Sequence, residues 1–163
     1  MTPTPDPFRL LGLEPRFLVD PVTVRRRWRA ESARLHPDLA GDDAGALATV
    51  ALLNDAKETL LDDERRANAL LTLVGGASKE ADASLPDGFL MEIMDLRMAI
   101  ESGDAEEVAE HRADAEVQRA GYVERVAALF ESLGNPPAPD RLAEIRQTLN
   151  AWRYIERLLE QVE

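Results

Sequence analysis

Residues 20–38 read DPVTVRRRWRAESARLHPD. Asp20 is a short carboxylate suited to accept from the free amides of a first helical turn, and Pro21 fits the position where no amide is needed. Val24, Trp28 and Leu35 then recur on one face at helical spacing, while Arg25 and Arg29 share a face away from them. Pro37 stops the helix, because the residue before a proline is pushed out of helical geometry. A second Ala/Leu-rich stretch predicts a helix over about residues 44–61, with Leu47, Ala51, Leu53, Ala56 and Leu60 as its buried positions. Two antiparallel helices therefore meet at a short loop carrying His36, Pro37 and Asp38, with DPFRLLGL and ERRANALLTLV packing on either side.

Outward from this hairpin, the 163 residues have room for one ordinary domain or two small ones, and 45% apolar with 31% charged residues is a globular balance. There is no cysteine, which removes disulfides, thiolate metal ligation and cysteine nucleophiles. The start, MTPTPDPFRL, lacks the features of a signal peptide, and no later segment reaches a membrane-spanning length, so a cytoplasmic protein is expected. The net charge of -12 argues against a nucleic-acid partner. It is concentrated in the second half: residues 1–75 hold 10 Lys+Arg against 12 Asp+Glu, and residues 76–163 hold 9 against 19.

Glycine and proline clusters cut the chain near Gly41, over LVGGASKEADASLPDG, at ESGD and at LGNPPAPD, and the intervals suit helices. The fold class is therefore all-α, in two parts: residues 1–75, a linker over 76–85, and a three-helix bundle over 86–163. Its helices are expected at about 86–101, 104–132 and 140–162. Asp140 after Pro139 reads as an N-cap, followed by an apolar stripe of Leu142, Ile145, Leu149, Trp152, Ile155, Leu159 and Val162.

The first bundle helix carries two apolar faces. At about 100° per residue, Phe89, Ile93, Leu96 and Ile100 form the stripe a core needs, and Leu90, Met91, Met94 and Met98 form another. Three of the chain's four methionines thus collect where the core does not require them. Such a face must be covered, by another part of this protein or by a partner, and polarisable methionine suits the latter. Glu92, Asp95 and Glu101 would rim it. Tyr154 and Leu158 lie at the margin of the last helix's stripe, where they either extend the patch or are simply buried.

For the loop, three readings stand. His36 and Asp38 could form a general base and its orienter, as in a small hydrolase, but no nucleophile, metal or enclosed pocket accompanies them. The tripeptide could be only a helix stop in a structural bundle. Or, beside the basic face of Arg25, Arg26, Arg27, Arg29 and Arg34, it could be a surface read by an acidic partner protein. His111, among charged residues of a long helix, reads as solvated.

A basic helix ending in HPD, then a loop and an antiparallel helix, resembles the J-domain of co-chaperones that stimulate ATP hydrolysis by DnaK-type chaperones. That resemblance implies chaperone contacts by His36, Pro37 and Asp38, with electrostatic docking through Arg25, Arg26 and Arg29, and no active site of its own. The segments FLMEIMDLR, FRLLGL and LNDAKETLLDDERRANALL extend the likeness over nearly the whole chain, to HscB-type co-chaperones of iron-sulfur cluster assembly. It implies two partners, an IscU-type scaffold and an HscA- or DnaK-type ATPase chaperone, and no cofactor or metal. By motif, Leu90, Met91, Met94, Asp95, Arg97, Met98 and Tyr154 would contact the scaffold. Leu39 stands where J-domains often carry a basic residue, and Met98 where the family often carries an acid. A J-domain co-chaperone for an unrelated client is the alternative within the same module.

Overall fold

The computed structural model describes residues 5–35 and 44–162 and contains seven helices among them, with no strand. His36, Pro37, Asp38 and Leu39 lie outside the described residues. Two compact units divide the chain, Met1–Leu73 and Val74–Glu163.

In the first unit, α1 is Pro7–Leu10, started by Asp6, whose carboxylate accepts from the amides of Phe8 and Arg9 at 2.9 and 3.2 Å. Helix α2, Pro21–Ala33, begins as its sequence predicts: Asp20 accepts from the Val22 and Thr23 amides at 3.1 and 3.0 Å and from the Thr23 hydroxyl at 2.7 Å. These bonds, the Thr23 hydroxyl first, hold the Asp20 carboxyl below its ordinary pKa. Helix α3, Ala44–Leu61, packs against α1 and α2, and α4, Asp63–Leu73, folds back on α3.

The core of this unit joins Phe8, Leu11, Phe17 and Val24 to Leu53, Ala56, Leu60, Ala67, Leu70 and Leu71. Leu47 and Ala51 are not part of it, contrary to the sequence expectation; both are exposed. Stepping back from Leu60 through Ala56 and Leu53 by threes and fours reaches Thr49 and Ala46, whereas Leu47 and Ala51 lie well off that line. Across the hairpin, Trp28 donates its indole N–H to Asn54 Oδ1 at 2.9 Å, and the Lys57 ammonium sits 4.3 Å from its ring centroid. These contacts fix the rotation of α2, so that Arg25, Arg26 and Arg29 are left exposed.

Arg66 of α4 is the polar centre of this core. Its Nε donates to the Phe17 carbonyl at 2.6 Å, another guanidinium nitrogen donates to the Leu60 carbonyl at 2.8 Å, and a third pairs with Asp63. The same group lies 4.9 Å from the Phe17 ring centroid. One fixed fork therefore donates to two carbonyls inside this core.

The second unit consists of α5, Phe89–Ser102, α6, Ala105–Glu131, and α7, Pro139–Gln161, each packed on the other two. Helix α5 starts at Phe89 rather than 86, because Gly88 takes a left-handed conformation at φ 79° that a side chain would resist. Asp104 opens α6 with a reciprocal capping box: it accepts from the Glu107 amide while Glu107 accepts from the Asp104 amide, each at 3.0 Å. Helix α7 begins one residue before the expected site; Ala138 is its N-cap and Asp140 sits in the first turn, where its charge still complements the helix dipole.

Phe89, Ile93, Ala115, Ala151, Ile155 and Leu158 form one buried cluster, with Leu85, Leu96, Ile100, Tyr122, Tyr154 and Leu159 packed around it. Ile145, Leu149 and Trp152 continue the buried stripe of α7. The Trp152 indole and Arg119 Nε both donate to Glu156 Oε1 at 2.7 Å, tying α6 to α7.

The stretch before α5 is bound to the same unit. Asn150 donates to the carbonyls of Asp82 and Ser84 at 3.0 and 2.9 Å, Gln147 donates to the Leu85 carbonyl at 3.0 Å, and Arg146 Nε reaches Asn150 Oδ1 at 2.9 Å. Ser84 holds the Asp82 carboxyl below its usual range, first through its hydroxyl and then its amide, with Arg146 adding to the effect.

Candidate functional site

The geometry singles out α5. Its inner face seats Phe89 and Ile93 in the core, and Tyr154 meets Phe89 edge-on, with centroids 5.9 Å apart and rings 77° from parallel. Its outer face leaves Leu90 51%, Met91 72%, Met94 56% and Met98 58% exposed. Both faces are thus where helical spacing puts them, and among the described residues the second stays more than half exposed.

Asp95, Glu92 and Glu101 on the same helix are exposed as well. Arg97 is half-buried on its flank, and its Nε has no hydrogen-bond acceptor among the described residues. On the far margin Tyr122 is half-buried, and burial, with the Glu92 charge adding to it and Arg125 opposing, pushes its phenol above the ordinary value. Leu158 is 1% exposed, so it belongs to the core and not to the patch. Tyr154 is half-buried against Phe89.

Four medium-to-large apolar side chains in a row on one exposed helix face make a convex apolar patch, unlike the concave cleft that usually binds a small molecule. Among the described residues no group of His, Asp or Glu is placed to hold a metal ion. None of the described helices is long and apolar enough to cross a membrane. In the first unit, Arg25, Arg26 and Arg29 are exposed on α2, the helix that precedes His36, Pro37 and Asp38, which lie outside the described residues.

Sequence reasoning missed the polar anchors. Arg146 and Asn150 are one turn apart within the apolar stripe of α7, a placement that could have signalled buried hydrogen-bond partners. Arg66, inside ERRANALL, gave no comparable signal.

Residues 85–163 match the family described as the HSCB C-terminal oligomerisation domain. Over 128 residues the chain is 36% identical to a co-chaperone protein HscB homolog of Vibrio cholerae, covering 75% of this chain and 71% of that one. A co-chaperone protein HscB homolog of Bordetella pertussis is 28% identical over 165 residues, 96% of this chain and 94% of its own. The crystal structure of human co-chaperone protein HscB superposes with a TM-score of 0.82 at 24% identity, covering 99% of this chain and 82% of that one.

The helices of the two units have the fold of a J-domain followed by a C-terminal helical domain. The chain belongs to the HscB family of co-chaperones.

Proposed function

We propose that this protein is a cytoplasmic co-chaperone that carries an IscU-type iron-sulfur scaffold on the outer face of α5 and brings it to an HscA- or DnaK-type chaperone. In this reading His36, Pro37 and Asp38 stimulate the chaperone's ATP hydrolysis, and Arg25, Arg26 and Arg29 dock its acidic surface. The observation that carries it is the uncovered row of Leu90, Met91, Met94 and Met98 in a chain of the HscB family.

The apolar row supplies burial energy, about 25 cal/mol for each Å² removed from water. Asp95 and the neighbouring acids favour a partner with basic groups at the rim of its contact. Tyr154 edges the patch from α7. With no cysteine in the chain, any cluster stays on the scaffold. The contribution of this protein is binding: scaffold and chaperone are held on one chain, which raises the effective concentration of each for the other.

The test is the single-turnover ATPase rate of the chaperone with this protein, with its His36→Gln variant, and with and without scaffold. Stimulation that requires His36 and rises further with scaffold is expected. Stimulation that requires His36 but ignores scaffold moves the client elsewhere, and an unchanged rate removes the chaperone role.

A further inference from the structure

The methionines of α5 carry chemistry that docking does not use. The chain has four methionines and no cysteine, so thioethers are its only sulfur groups. Met91, Met94 and Met98 lie within eight consecutive positions and are all more than half exposed. No methionine belongs to the core cluster of the second unit, which is built from Phe89, Ile93, Ala115, Ala151, Ile155 and Leu158. An oxidant in solution therefore meets sulfur on the outer face of α5 and none in that core.

We infer that Met91, Met94 and Met98 make the α5 face an oxidation-sensitive switch, read by hydrogen peroxide and equivalent two-electron peroxides; the inference rests on the docking role proposed above. The thioether lone pair attacks one peroxide oxygen, a sulfur–oxygen bond forms and the oxygen–oxygen bond breaks. Sulfur is oxidised by two electrons, and the second oxygen leaves as water after taking up a proton. The product sulfoxide is a strong acceptor where an apolar group stood. Facing water it is well solvated and leaves the helix unstrained; buried under a partner it lacks a donor, at a cost that makes docking unfavourable. Reduction by a dithiol-using methionine sulfoxide reductase removes the oxygen as water, yields a disulfide on the reductant and restores the face.

The experiment uses the full chain, graded hydrogen peroxide, peptide mass spectrometry to locate added oxygen, and titration with an IscU-type scaffold. Oxygen at residues 91, 94 and 98 should accompany a loss of affinity of roughly tenfold or more, with an unchanged melting midpoint and recovery after reductase treatment. The Met91→Leu/Met94→Leu/Met98→Leu variant should bind equally before and after peroxide. If that variant does not bind at all, recovery of the treated wild type by the reductase decides the matter. Full oxidation at the three positions with unchanged affinity overturns the switch while leaving the docking role intact, as does equal loss by wild type and variant. Untreated protein that does not bind scaffold sinks the docking role, and the switch falls with it.

Discussion

Replacing Met91 and Met94 by serine tests the α5 face most directly. The two side chains are 72% and 56% exposed, so together slightly more than one methionine side chain's worth of surface remains for a partner to cover. Full burial of a methionine is worth about 1.5–3 kcal/mol, which puts the pair at about 2–4 kcal/mol if the partner covers them completely. That corresponds to a loss of roughly 30- to 1000-fold in affinity for the scaffold. Folding should lose less than binding: the part of the two side chains already covered, about 0.7 of one methionine, is worth about 1–2 kcal/mol, and helix propensity adds roughly 0.5 kcal/mol or less. Isothermal titration against the scaffold and a circular-dichroism melt measure the two quantities on the same preparation. A change of less than about threefold, with wild-type binding established, refutes the assignment of these residues to the interface. A large drop in melting temperature would instead mean that the side chains are packed rather than exposed.

Arg66→Met should destabilise the first unit by about 2–4 kcal/mol, because two buried carbonyls lose a charged donor while the partly exposed Asp63 is rescued by water; urea unfolding followed at Trp28 would show it, and a loss under about 0.5 kcal/mol would contradict it. Asn150→Leu removes three hydrogen bonds, the one from Arg146 Nε and the two to the carbonyls of Asp82 and Ser84. A loss of about 2–4 kcal/mol and new proteolytic cleavage within residues 78–85 are expected; uncleaved protein would mean that Gln147 alone retains the segment. Asp20→Ala tests the cap of α2 through pH. Because the folded carboxyl titrates below its unfolded value near about 3.9, the stabilisation is present above that value and is lost as pH falls through the lower, folded pKa. Wild type should therefore melt above the variant at neutral pH, and the difference should close in strong acid; a gap that persists there would assign the effect to something other than the charged cap.

Much of the fold was legible because helix starts and faces are local properties. Asp20-Pro21 announced α2, the spacing of Ile145, Leu149, Trp152 and Ile155 drew the buried stripe of α7, and the double apolar face of α5 followed from angular position alone. What could not be read depends on which element lies opposite. Leu47 and Ala51 are apolar and helical, but the partners of α3 face the line through Ala46, Thr49 and Leu53 instead. Leu158 and Tyr154 share a margin in sequence, yet Leu158 is enclosed while Tyr154 is only half-buried. Arg66 and Asn150 serve carbonyls of Phe17, Leu60, Asp82 and Ser84, acceptors that every residue carries and that no side-chain pattern marks. The outer face of α5 was visible because it violates the economy of a small bundle, which needs only one apolar stripe per helix.

The order in which the bundle's parts are made matters for its biogenesis. Phe89 and Ile93 are buried against Ala151, Ile155 and Leu158, residues of the final helix, so the apolar seat of α5 cannot form until α7 has left the ribosome. During the synthesis of α6 and the turn beyond it, the nascent chain displays both stripes of α5 at once, the one destined for the interior and the methionine face. The first unit draws its core only from residues before α5 and can close during this interval. A messenger truncated ahead of residue 145 would accordingly yield a folded hairpin trailing a doubly apolar helix, a product prone to aggregate and itself a substrate for general chaperones.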